Sequence, residues 1–190
     1  MNTLKLKAVE NHFRYFLILW KGNLMKTLIV YYSRSGRTKK IAKQMGVRLN
    51  ADLGEIQDNK NRAGIFGFIA SGNEAYLRKV APINKLNRDP AQYDTVIIGT
   101  PIWANNMSTP IRSFFKEYQE KLKNVAFFCT SIGSNPKSVF MAMEKMATRK
   151  PITVMNITAR DIRRQFYIEM VNEFVKKIKK SETDSRRHDK

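Results

Sequence analysis

The residues whose types and spacing carry the most chemistry are Ser33, Arg34, Ser35, Gly36, Arg37 and Thr38. Three hydroxyls, a glycine and two arginines within six positions suit an anion, since hydroxyls and main-chain N–H groups donate hydrogen bonds and glycine admits close backbone approach. The chemistry implied is the holding of a phosphate. The segment lacks the G-x-x-x-x-G-K-[ST] of a nucleoside triphosphate loop and the three spaced glycines of a dinucleotide loop. Hydroxyl donors with no lysine and no magnesium-binding partner suit a terminal phosphate monoester. A Ser/Gly turn before a helix also serves capping alone.

The flanking elements give the turn its geometry. Thr27 to Tyr32 is a continuous β-branched, aliphatic and aromatic run, the pattern of a strand covered on both faces. From Thr38 the apolar positions Ile41, Ala42, Met45 and Leu49 fall at helical spacing. A strand, a tight turn and a helix N-terminus gather unpaired N–H groups and the positive helix end around one point, which attracts an anion.

Asp52 to Gln57 reads as a short second strand, and 58–93 is irregular, with Ser71 and Glu74 spaced as a capping box for a helix running to about Val80. Ile65, Phe66, Phe68 and Ile69 read as packing residues. Thr95 to Ile98 is a third strand, ended by Gly99, Thr100 and Pro101, with a loop to Ser108. Thr109 as N-cap and Pro110 as first helical residue then open a helix with the stripe Ile111, Phe114, Phe115, Tyr118 and Leu122. Asn124 to Thr130 is a fourth strand that leads into Ser131, Ile132, Gly133 and Ser134. Asn135 and Pro136 can cap the following helix, which turns Val139, Phe140, Met143 and Met146 inward. Ile152 to Ile157 is a fifth strand. A capping box at Thr158 and Asp161 starts one last helix bearing Ile162, Phe166, Met170, Phe174 and Ile178.

Five strands alternating with helices predict a three-layer, doubly wound α/β sandwich with a five-stranded parallel sheet of order 2-1-3-4-5. Ligands in such a sheet bind beyond the carboxyl ends of the strands at the switch point, here between the first and third strands. The turn at Ser33–Thr38 leaves the first strand and the loop at Gly99–Ser108 leaves the third, so both meet at one crevice.

Composition narrows the chemistry. Cys129 is the only cysteine, which excludes a disulfide framework, a Cys-x-x-Cys pair and a thiolate cluster and fits a reducing, cytoplasmic setting. It reads as core filler. His12 and His188 are the only histidines and stand near the ends, outside every motif. Redox chemistry must therefore come from a bound cofactor. The chain is formally +19; residues 1–24 hold four cations and one carboxylate, a net of +3, so +16 stays on the rest. The apolar run Tyr15 to Trp20 is too short for a membrane span or a secretory signal. Residues 1–24 read as an extension, with Met25 favoured as the native start over an added helix bearing Phe13, Phe16, Leu17 and Trp20. The domain is expected over 25–180, with 181–190 a frayed polar tail.

The turn S-R-S-G-R-T resembles the [ST]-x-[ST]-G-x-[ST] phosphate loop of the flavodoxin family, which binds flavin mononucleotide (FMN). Gly99-Thr100-Pro101-Ile102-Trp103 after a strand strengthens the likeness to the flavodoxin-like superfamily and its shorter oxidoreductases. The resemblance implies that Ser33, Ser35, Gly36 and Thr38, with the Arg34 and Arg37 main chain, hold the FMN phosphate. It places Thr100, Pro101, Ile102, Trp103 and Ala104 along the flavin ring and Ser131, Ile132, Gly133 and Ser134 on its other side; Asn105 and Asn106 either orient the loop or touch the ring. The implied function is an FMN redox protein that exchanges electrons with a partner protein, or takes them from a nicotinamide and reduces a small acceptor such as a quinone. The family's electron shuttles are typically acidic, and the basic charge here departs from them, pointing to acidic or anionic partners and weak contact with anionic membrane. The basic run Lys176, Lys177, Lys179 and Lys180 reads as a solvated helix end. No specific nucleic-acid pattern is present, so the alternative is a basic binding module for a phosphorylated ligand or nucleic acid without redox activity.

Overall fold

Strand β1 (Thr27–Tyr31) is buried at all five positions, and its side chains alternate between two cores. Leu28 and Val30 face one side; Ile29 and Tyr31 face the other. The computed structural model that shows this describes residues 25–57 and 82–188. The expected helix from Ser71 to Val80 and the expected packing roles of Ile65, Phe66, Phe68 and Ile69 lie outside the described residues, as do residues 1–24.

After β1 the chain turns into α1 (Arg37–Leu49), then β2 (Asp52–Glu55), β3 (Thr95–Trp103), β4 (Asn106–Met107), α2 (Thr109–Tyr118), β5 (Asn124–Ser131), α3 (Lys137–Ala147), β6 (Val154–Thr158), α4 (Ala159–Arg163) and α5 (Tyr167–His188). The sheet order is β2-β1-β3-β5-β6, all parallel, with β4 hung antiparallel on the end of β3. Setting β4 aside, this is the expected 2-1-3-4-5 order. Helices α2 and α3 cover one face through Phe114, Phe115, Val139 and Met143. Helices α1 and α5 cover the other through Ile41, Met45, Val171, Phe174 and Ile178.

Several local expectations are corrected. Gly99, Thr100 and Pro101 do not end the third strand, which runs on to Trp103. Gly99 is there because Phe128 of β5 lies over it: a Cβ would come within 2.1 Å of that ring. Pro101 is tolerated because its missing N–H faces the same side as the Gly99 carbonyl, which accepts from Tyr32 N–H at 3.2 Å just where β1 turns away. The loop after β3 contains a two-residue hairpin in which Ala104 (φ +44°) and Asn105 (φ +57°) make the type I′ turn that matches strand twist. Ser108, not Thr109, is the N-cap of α2, and Thr109 and Pro110 are its first residues.

The last helix is two. Gln165 at φ +61° interrupts it, and the registers differ across the break. Phe166 is consequently 54% exposed, while Tyr167 and Val171 enter the core in its place. Helix α5 also continues through His188 instead of fraying at 181, and Glu182 accepts a 3.0 Å hydrogen bond from Thr27 Oγ1.

Candidate functional site

Three strand ends converge. The turn from Ser33 to Gly36 leaves β1, the hairpin leaves β3, and Ser131 to Ser134 leave β5. Between them lies a shallow cleft of about 40 Å³ lined by Arg34, Ser35, Arg37, Pro101, Ile102, Trp103, Thr130, Ser131 and Ile132. A larger concavity of about 440 Å³ flanks the edge strand β2, walled by residues on either side of 58–81. It lacks the meeting of three strand ends found at the cleft.

Gly36 at φ +81° caps α1 in a left-handed conformation, with open space where a Cβ would stand. The carbonyl of Gly36 accepts from Lys40 N–H at 2.9 Å, and Ser33 Oγ accepts from Lys39 N–H at 3.2 Å. The N–H groups of Arg37 and Thr38 precede the helical ladder and so remain for a ligand. Ser33 thus serves capping first, while Ser35 and Gly36 are exposed at the tip.

Thr38 is buried, and its hydroxyl lies 2.9 Å from that of Thr130 on β5. This pair ties the start of α1 to the sheet and keeps one hydroxyl proton to donate, because the bond between two hydroxyls uses only one of two. Beside Thr130, Ser131 is 4% exposed and its Oγ has no hydrogen-bond partner among the described residues. A buried hydroxyl left unpaired costs about 1–3 kcal/mol. It borders the cleft.

Two residues expected along the ring also hold the scaffold together. Thr100 is fully buried; its Oγ1 accepts from Ser108 N–H at 3.0 Å and lies 3.0 Å from Ser108 Oγ, which pins the hairpin to the start of α2. Trp103 is 5% exposed, with its ring 5.5 Å from that of Tyr32 and edge-on to it, inside the α2–α3 core. Trp103 also borders the cleft, beside Pro101 and Ile102, both half-buried, and Ile132, 69% exposed, which present its more accessible apolar surface. Ala104 and Asn105 are exposed at the hairpin tip, whose Asn105 carbonyl accepts from Ser138 Oγ at 3.2 Å. Gly133 and Ser134 follow Ile132 away from the lining.

Charge around the cleft is positive. Arg34 and Arg37 line it, and Lys39 is held by Glu55 at 2.6 Å. Burial and the Glu55 carboxylate push the Tyr31 phenol up to about 12, so it stays neutral and hydrogen-bonded to Glu55 at 3.4 Å. Burial likewise pushes the Cys129 thiol well above its usual range, which removes it as a nucleophile and agrees with its place in the core. No group of three or more metal-ligating side chains occurs among the described residues, and no helix there is long and apolar enough to cross a membrane.

Comparison with known proteins agrees with this geometry. A family model described as flavodoxin domain matches residues 65–189. The flavoprotein of Lactobacillus acidophilus NCFM, crystallised in complex with FMN, is 28% identical at a TM-score of 0.62, over 74% of this chain and 97% of that one. The apo form of a flavoprotein from that organism, solved by NMR, is 27% identical at a TM-score of 0.54, over 73% and 95%. No curated protein matches the sequence. The family match begins at residue 65, so the turn at Ser33–Thr38 is placed by the fold alone. On its strand order and a domain match over more than half its length, the chain belongs to the flavodoxin domain family.

Proposed function

We propose that the chain binds FMN in this cleft and works as a redox protein, exchanging electrons with a partner protein or reducing a small acceptor such as a quinone. The observation that carries the reading is the unpartnered Ser131 Oγ beside the open end of α1, in a cleft lined by two arginines. A relative at 28% identity, matched over 97% of its length, was crystallised in complex with FMN, which supports the same cofactor here.

The residues present fit such a group. The N–H groups of Arg37 and Thr38, the Ser35 hydroxyl and the spare proton of the Thr38–Thr130 pair would hold a phosphate at the positive end of α1. Pro101, Ile102 and Ile132 would border an apolar ring, and Ser131 Oγ would hydrogen-bond to a polar edge. Thr100 fixes the hairpin so that these contacts are preformed. Bound FMN supplies hydride or single-electron chemistry; the protein supplies position, exclusion of water and a positive field that favours gain of negative charge. No side chain is needed as a nucleophile.

The test is direct. Purified protein should carry flavin absorbance or take up added FMN with quenching of flavin fluorescence. Ser35→Asp, which puts a carboxylate at an exposed tip residue, should weaken uptake at least tenfold without changing the far-UV spectrum. A colourless protein that rejects FMN would instead favour a basic module for another phosphorylated ligand. Stopped-flow mixing with NADH or NADPH separates reductase from carrier, since a carrier reacts poorly with free nicotinamide.

A further inference from the structure

The rim that surrounds the cleft continues beyond it. Ser131 pairs with Thr158 in the register of β5 and β6, so α4 leaves the sheet immediately beside the cleft, at the same carboxyl edge. Arg160, Arg163 and Arg164 are all exposed there. Asp161, the carboxylate among them, is turned into the capping box, accepting from Thr158 N–H at 2.8 Å and Thr158 Oγ1 at 2.6 Å. Among the described residues the three guanidinium groups enter no ion pair. From the other side, Lys40 of α1 sits 4.9 Å from the Tyr167 ring at the α4–α5 junction, which closes the gap between the two sets of cations.

The rim therefore carries Arg34, Arg37, Lys40, Arg160, Arg163 and Arg164 against Asp161 and Glu169, a net of +4, with Lys39 and Glu55 cancelling. Two large apolar side chains stand out of it: Ile132 at 69% and Phe166 at 54% exposure, the latter turned outward by the break at Gln165. Arginine and exposed aromatic and aliphatic side chains in a rim of net positive charge are the residue types that protein interfaces use. Charge complementarity then selects the partner.

We propose that the α4 rim, with Ile132 and Phe166, docks an acidic one-electron carrier protein beside the cleft. This rests on the cofactor reading above for its chemistry: each docked carrier gives one electron to, or takes one from, the bound flavin, and two encounters balance a two-electron change, with protons taken up from solvent on flavin reduction and released to it on oxidation. The docking itself rests on the surface alone.

The experiment uses the full chain loaded with FMN and an acidic plant-type ferredoxin as probe, with basic cytochrome c as the opposite-charge control. Titration calorimetry at low ionic strength should show ferredoxin binding that weakens steeply with salt. Arg160→Gln/Arg163→Gln/Arg164→Gln should weaken it about tenfold and slow flavin reduction by reduced ferredoxin to a similar degree at low salt. Lys179→Gln/Lys180→Gln/Arg187→Gln removes the same charge roughly 18–30 Å along α5, beyond the Debye length of about 10 Å at 0.1 M salt, and compared at that salt should change binding less than twofold. Equal losses in both triple variants, no ferredoxin binding by the wild type, or tighter binding of cytochrome c would overturn the proposal. Failure to take up FMN would sink the cofactor reading instead, while calorimetry with ferredoxin would still report on the rim.

Discussion

Gly99→Ala is the sharpest test of how β3 is positioned. The added Cβ would stand 2.1 Å from Phe128 Cζ, 2.2 Å from Cε1 and 2.8 Å from Cε2. Ordinary contact begins near 3.4 Å, so the ring must move by about 1.3 Å or the strand must shift. Phe128 is fully buried against the α1–α5 layer, and close-packed interiors offer little room for such a move. Overpacking of this kind costs about 1–3 kcal/mol, and a rigid ring that is itself fully buried puts this case near the top, about 3 kcal/mol. That is a large share of a domain stability of roughly 5–15 kcal/mol. Urea unfolding followed by circular dichroism should show a lower midpoint with an unchanged slope. In a Phe128→Leu background the atoms that clash are gone, so the same glycine substitution should cost under about 1 kcal/mol, a coupling of roughly 2 kcal/mol. A cost below about 0.5 kcal/mol in the wild-type background, or the same cost in both, would refute the argument.

Ser131→Ala removes an unpartnered buried hydroxyl, so urea stability should hold or rise by up to about 1 kcal/mol while FMN affinity, read by flavin fluorescence, falls roughly five- to tenfold. Thr100→Val leaves Ser108 N–H and Oγ without their buried partner and should cost about 2 kcal/mol in the same unfolding assay, with weaker FMN uptake as the hairpin loosens. Ala104→Asn with Asn105→Gly supplies the residues a type I′ turn prefers and should raise stability by about 1 kcal/mol, seen as a higher melting temperature. Tyr31 has its folded pKa raised above the unfolded value, so its contribution to stability is intact below about pH 10 and is lost as pH climbs towards about 12. Phenolate absorbance should show a late-ionising tyrosine that vanishes in Tyr31→Phe.

Most of the sheet was legible because β1, β3 and β5 open on runs rich in apolar and β-branched residues and give way to small polar residues at their ends. What escaped the pattern has physical causes. Gly99 and Pro101 read as strand breakers, but Phe128 of the neighbouring strand fills the space over the glycine, and β1 has already turned off where the proline lacks its N–H. The hairpin at Ala104 and Asn105 was hidden because alanine is a poor marker for positive φ. The break at Gln165 was hidden because Ile162, Phe166, Met170 and Phe174 keep four-residue spacing across it, while burial shifts to Tyr167 and Val171.

The hydroxyls of the turn and of β3 also join elements of the fold. Ser33 caps Lys39, Thr38 bonds Thr130, and Thr100 bonds Ser108, so each hydroxyl is first committed to joining two elements. The N–H groups at the start of α1, one spare proton of the threonine pair, the exposed Ser35 and the unpartnered Ser131 are what is left for binding. A site built in this way takes its affinity from backbone held in place by side chains. Replacing the committed hydroxyls should then lower stability and affinity together, whereas Ser131→Ala should separate the two.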